Sequence, residues 1–146
     1  MGERIDYVPS PTVWVADHVE AIVHSGTTDA ATVLDRPVVL LTMIGARSGA
    51  TRLVPLMRVE DNGTYAAVGS KGGDPRDPLW VANLRAHPDI SLQDGTDRAE
   101  VTAREITGAE RDLWWPRCVA AYPPYAEYAE RTDRTIPVFL LEPRRS

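Results

Sequence analysis

Val15, Val19, Ile22 and Val23 recur at helical spacing, which predicts an amphipathic helix opened by Ser10-Pro11 and closed by Gly26. Residues 1–10 are polar and read as a flexible arm, with residues 11–146 as a single domain. Beyond a polar Thr/Asp/Ala stretch the period shortens to that of strands. Val38–Ile44 is a short β-branched run, Gly45–Ala50 a turn and Thr51–Glu60 a second strand, with Pro55 marking a bulge or a sheet edge. Asp61-Asn62-Gly63 is a hairpin turn and Thr64–Val68 the returning strand, so the three strands form an antiparallel meander.

A Gly/Pro/Asp-rich loop, 69–78, precedes a short helix, Leu79–His87, stopped by Pro88. Ile90–Gln93 and Asp97–Ile106 form another hairpin about Asp94-Gly95, with Ala99, Val101 and Ala103 alternating against polar residues. Thr107-Gly108-Ala109-Glu110 has the form of a capping box, opening a helix that breaks at Pro116 and resumes. A further helix follows Pro123-Pro124, and Ile136–Glu142 closes the chain as a strand. Six strands and three or four helices joined mainly by hairpins predict an α+β, mainly antiparallel fold: a small barrel with helices outside it.

Composition narrows the function. At 146 residues, 43% hydrophobic and 25% charged, the chain can bury one core. One cysteine, Cys118, and three scattered histidines point away from disulfides and metal centres. A formal charge of −5 lacks the basic footprint of a nucleic-acid binder. With neither a signal peptide nor a spanning segment expected, a cytoplasmic location follows, extending to the inner face of the membrane. The first helix lacks a basic face, so membrane contact is expected to be weak and peripheral at most.

Four groups of residues could carry chemistry. Gly45–Arg52 places glycines among Arg47, Ser48, Thr51 and Arg52, which suits either an anion cradle or a solvated hairpin turn. Gly69-Ser70-Lys71-Gly72-Gly73 sets the chain's single lysine among glycines at a strand end, where it is either a contact to an anionic ligand or a solvated loop charge. Trp80 and Asn83 share a helix face and could flank a flat heterocycle or belong to the core. Tyr122, Tyr125 and Tyr128, three apart, either form an aromatic wall edged with hydroxyls or pack into the core, where three hydroxyls would each need a partner. No Ser/His/Asp, Cys/His or paired-carboxylate arrangement is visible, so an enzyme of this design leaves its chemistry to a cofactor.

Taken in order, Gly-Ala-Arg-Ser-Gly…Arg…Pro-Leu, Gly-Ser-Lys-Gly-Gly…Pro…Trp…Asn-Leu…His-Pro and Gln-Asp-Gly resemble the deazaflavin (coenzyme F420)-dependent nitroreductase family, over nearly the whole chain. The resemblance implies a split β-barrel related to FMN-binding barrels, and hydride transfer from reduced coenzyme F420 to quinones and nitroaromatic compounds. It assigns Arg47, Ser48, Gly49 and Arg52 to the cofactor phosphate, and Lys71 to the phosphate or the ring. Thr42, Pro55, Leu56, Val68 and Ser70 would line the deazaflavin, with Trp80 and Asn83 closing over it. Tyr122, Tyr125 and Tyr128 would form the substrate wall, with Ser70 and Met57 opposite. The alternatives are an FMN- or F420-binding barrel acting on another acceptor, and a non-catalytic deazaflavin carrier. The chain is expected to be a monomer or weak dimer.

Overall fold

In the computed structural model, residues 7, 13–33, 35–73 and 76–144 are described; except for Tyr7, the expected arm and the Ser10-Pro11 helix start lie outside them. Helix α1 (Val13–Ser25) ends where Gly26 turns into the left-handed region and donates its N–H to Ile22 O. The strands are β1 (Val38–Ile44), β2 (Thr51–Met57), β3 (Glu60–Asp61), β4 (Thr64–Val68), β5 (Asp89–Asp94), β6 (Asp97–Ile106) and β7 (Val138–Pro143). They make one antiparallel sheet in the order β2-β1-β5-β6-β7-β4-β3. The two sheet edges are consecutive in the chain. Arg58 bonds back to Pro37 O and Ala66 donates to Val59 O, so the sheet curls until β2 and β4 lie side by side across an unpaired seam. This is a split barrel.

Strand alternation sorts the side chains between the two faces. Val39, Leu41, Met43, Leu92, Val101, Phe139 and Leu141 fill the interior. Helix α2 (Leu79–Ala86) caps that interior with Trp80, Val81 and Leu84. On the outer face, α1 lays Val19 and Ile22 on Val38, Leu40 and Leu53. Helices α3 (Gly108–Ala121) and α4 (Pro124–Arg131) cover Ala66, Val68, Val138 and Leu140 with Trp114, Cys118, Tyr122 and Tyr125.

Four local expectations are corrected. The three-strand meander does not form, because β4 pairs with β7 and β3 and not with β2. The strand expected over 51–60 stops at Met57 because the chain changes edge at Arg58, which leaves two-residue β3 as a seventh strand among the described residues. Helix α3 runs unbroken through Pro116. The bond that proline removes would go to Asp112 O, and both residues are exposed, so water reaches that carbonyl. The capping box does not form: Thr107 makes no side-chain cap, and Glu110 instead accepts from Arg104 at 2.7 and 2.8 Å. A bidentate guanidinium–carboxylate pair outcompetes a neutral backbone donor for that carboxylate.

Candidate functional site

Strand direction places both glycine-rich turns at one end of the barrel. β1 and β4 point the same way, so the turn Gly45–Ala50 after β1 and the turn Lys71–Gly73 after β4 emerge together. The first turn closes on itself: Gly45 donates to Ala50 O, Gly49 to Gly45 O, and the Ala50 N–H to Ser48 Oγ. A Cβ on Gly45 would meet Ser48 Oγ at 2.7 Å, so a side chain there would push the Ser48 hydroxyl away from the Ala50 N–H it accepts from. Arg47, Ser48 and Gly49 are exposed, and Arg52, next to Met43 in the ladder, is half-buried at the same end.

Asn83 ties this turn to α2. Its Oδ1 accepts from the Ala46 N–H at 2.8 Å, and its amide nitrogen lies 3.7 Å from Met43 Sδ. The carboxamide expected to close over a ligand is therefore engaged in holding the turn. Trp80 is likewise core: it is buried against Phe139 beneath α2, with ring centroids 6.1 Å apart. Its large apolar area is satisfied inside the barrel rather than across an open cleft.

The second turn is held from outside. Lys71 is exposed and adopts a left-handed backbone (φ +46°), and Gly73 donates to Ser70 O. Arg134, in the segment between α4 and β7, donates to Ser70 O at 2.7 Å and to Asp77 Oδ1 at 2.9 Å. Sequence reading missed Arg134; a lone arginine in a polar loop carries no signal of what it will reach. Gly73 lies against α4, where a Cβ would stand 3.1 Å from Tyr128 O and from Arg131 Cβ.

The seam between β2 and β4 gathers only some of the expected lining. Pro55 and Met57 share the outer face of β2, Val68 lies on the outer face of β4, and Ser70 is buried just beyond it. Leu56 does not join them, because alternation turns it into the barrel interior. Thr42 is also elsewhere: Leu53 separates it from the seam, and it lines a separate cavity of about 220 Å³ with Ser91, Leu92, Gln93, Arg98 and Glu100.

The three tyrosines pack together but differ in role. Tyr125 is 4% exposed, edge-on to Tyr122 with centroids 5.0 Å apart, and burial pushes its phenol well above the usual range. It packs among the aromatic rings of this cluster. Tyr122 Oη and Tyr128 Oη lie 3.4 Å apart, and Tyr128 is half-exposed beside the Lys71 turn. The bond to Tyr128 and then burial push the Tyr122 phenol up to about 12, so it keeps its proton at neutral pH. One hydrogen of the pair serves the internal bond and the other remains available to a ligand. Met57 packs against this cluster. Cys118 is buried and its thiol is pushed up to about 11, leaving no thiolate at neutral pH.

A cation-bearing cradle with open space at Gly49, an exposed lysine at the same barrel end and a hydroxyl donor beside that lysine fit an anionic redox cofactor and a flat, oxygen-bearing acceptor. Among the described residues no group of His, Cys, Asp and Glu could hold a metal ion, and no helix is long and apolar enough to cross a membrane.

Comparison with known proteins gives this site its context. A family model described as F420H(2)-dependent quinone reductase matches residues 14–143. An F420H(2)-dependent quinone reductase of Mycobacterium tuberculosis is 38% identical over 111 residues, 74% of this chain and 74% of that protein. A solved structure described as an F420-H2 dependent reductase is 58% identical, with a TM-score of 0.70 over 77% of this chain and 99% of that one. Another, described as a domain-swapped dimer, is 57% identical, with a TM-score of 0.72 over 91% of this chain and 100% of that one.

Proposed function

The chain belongs to the F420H(2)-dependent quinone reductase family, and from that membership we propose that the glycine-turn end of its barrel binds reduced coenzyme F420 and presents it to a quinone beside Tyr128. The protein is an oxidoreductase that reduces quinones with F420H2. The observation that carries the site reading is the convergence of both turns and Tyr128 at one barrel end.

In this reading Arg47, Ser48, Gly49 and Arg52 hold the cofactor phosphate, and Lys71 adds charge from the second turn. Asn83 acts indirectly, by fixing the first turn. When bound, the reduced deazaflavin supplies a hydride. The chain's own residues bind, orient and donate. Pro55, Met57, Val68 and Ser70 present a largely apolar seam that excludes water from the acceptor. Orientation at near-attack distance provides most of the rate. As hydride addition turns the quinone into a hydroquinone anion, the free hydrogen of the Tyr122–Tyr128 pair stabilises the new negative oxygen. A proton from that pair, replaced from solvent, completes the hydroquinone.

Nitroaromatic compounds are further acceptors in this reading, since a nitro oxygen presents the same acceptor to the same donor. The domain-swapped relative makes a second copy of this chain the expected protein partner, to be sought by light scattering. Contact with anionic membrane through α1 is disfavoured by exposed Asp17 and Glu20.

Fluorescence titration with F420, followed by F420H2 oxidation with menadione, tests the proposal. Arg52→Ala should raise the F420 Kd about tenfold, as expected for losing one charge-assisted contact. Tyr128→Phe should lower kcat with menadione about tenfold and leave the F420 Kd within twofold. Equal loss of cofactor affinity in both variants would sink this division of labour, and binding without turnover in the native chain would leave a carrier.

A further inference from the structure

A cation that the catalytic outline does not use stands behind the tyrosine pair. Val33 and Arg36 exchange backbone bonds of 3.0 and 2.9 Å about a tight turn in which Asp35 is left-handed (φ +61°). That turn aims Arg36, half-buried, across to the far helical layer, where its guanidinium donates to Ala121 O at 2.9 Å. Ala121 is the last residue of α3 and Tyr122 follows it, so the cation sits at the negative end of a 14-residue helix and at the root of the tyrosine wall.

We infer that Arg36 is a positioning residue of the acceptor site: by gripping the Ala121 carbonyl and placing its charge beside Tyr122, it fixes the Tyr122–Tyr128 hydroxyl pair as a donor toward an acceptor oxygen that turns negative. The inference rests on the quinone-reductase reading and deepens it. The line of contact is continuous. Arg36 bonds to the end of α3, Tyr122 pairs with Tyr128, and Tyr128 lies against Gly73 in the lysine turn.

The charge environment of the pair singles out this residue. Around the two phenols stand Arg36 from the segment before β1, Tyr125 and Arg131 from α4, and Cys118 from α3, with Arg111 acting on that thiol. Arg131 lies over the Tyr128 ring, 5.6 Å from its centroid, and Tyr125 and Cys118 are neutral and buried. Arg36 is the charged group acting on Tyr122, where it opposes the upward push from Tyr128 and burial. A positive field at that phenol lowers the cost of drawing its hydrogen toward an anion and leaves the binding of a neutral quinone nearly unchanged.

Arg36→Met and Arg36→Lys in the full chain test this, with three readouts. These are the F420 Kd, kcat and KM for menadione, and calorimetric binding of 2-hydroxy-1,4-naphthoquinone, an anion at neutral pH that resembles the hydroquinone anion. In Arg36→Met the affinity for the anionic analogue and kcat should each fall about tenfold. The menadione KM should stay within threefold and the F420 Kd within twofold. Arg36→Lys should recover analogue binding to within threefold of the native chain. A Met variant that matches the native chain, equal losses in all three readouts, or a Lys variant as impaired as Met would each overturn the inference. The calorimetric arm needs no turnover. A native chain that binds the analogue and reduces no quinone therefore refutes the reductase reading and leaves Arg36 tested, whereas a native chain that does not bind the analogue refutes the role of Arg36 whether or not menadione is turned over.

Discussion

Arg134→Met should weaken coenzyme F420 binding about 30-fold and lower the unfolding free energy by about 2–4 kcal/mol, with no contact between Arg134 and the cofactor required. The effect follows from what the guanidinium holds. Its side chain is 15% exposed and donates at once to the Ser70 carbonyl and to Asp77, bridging the end of β4 and the approach to α2. Methionine fills similar space and leaves both acceptors without that donor. Hydrogen bonds involving a charged group contribute about 1.5–3 kcal/mol each, the upper figures applying where water is excluded. Lys71 is an ordinary L-residue with φ +46°, a conformation that costs about 1–2 kcal/mol and persists because its surroundings hold it. Without the Arg134 bond the turn relaxes, and in the proposed site cofactor binding must restore it. Arg134→Lys should recover less than half of the loss, because an ammonium is not a fork that spans two acceptors. Thermal unfolding with and without F420 separates the two effects: a variant that melts lower and binds F420 normally would show that the clamp serves stability alone.

Much of this architecture was legible in the sequence, and the reasons differ from element to element. The strands were legible because Val38–Ile44 and Thr64–Val68 are β-branched or alternating and are punctuated by glycine-bearing turns. The tyrosine cluster was legible because residues three apart fall on one side of a helix or tight turn, as Tyr125 and Tyr128 do on α4. What alternation could not reveal was which face of β2 meets which face of β4, since no ladder joins them. Leu56 and Thr42, which the resemblance assigns to the deazaflavin lining with Pro55 and Val68, therefore lie apart from those two, on the far side of the sheet wall or beyond Leu53. Asn83 and Trp80 share a helix side as the spacing requires, yet one holds a turn and the other fills the barrel. The two arginines that brace the proposed site, Arg36 and Arg134, act on residues 85 and 64 positions away. Such contacts are tertiary, and local pattern carries no trace of them.

Gly73→Ala should lower menadione kcat/KM at least tenfold, cost about 2–4 kcal/mol of stability and change the F420 Kd less than threefold. Gly73 adopts φ +82°, so any side chain there incurs about 1–2 kcal/mol of backbone strain. The new methyl would also stand 3.1 Å from Tyr128 O and Arg131 Cβ and 3.3 Å from Tyr128 Cα. Two of those atoms are α4 backbone, so relief requires the helix to move outward by a few tenths of an ångström. Tyr122 and Tyr128 are paired at 3.4 Å, already beyond the usual 2.5–3.0 Å for hydroxyls, so a small outward shift of α4 separates them. Acceptor chemistry therefore suffers before cofactor affinity does. Gly63→Ala is the matched control: it has φ +84° and nothing within 4 Å of its Cβ position, so it carries the same strain without the contact. If the two variants lose equal stability and equal turnover, the pressure on α4 is irrelevant. If only Gly73→Ala loses turnover, the turn that carries Lys71 also sets the position of Tyr128 in the proposed acceptor site.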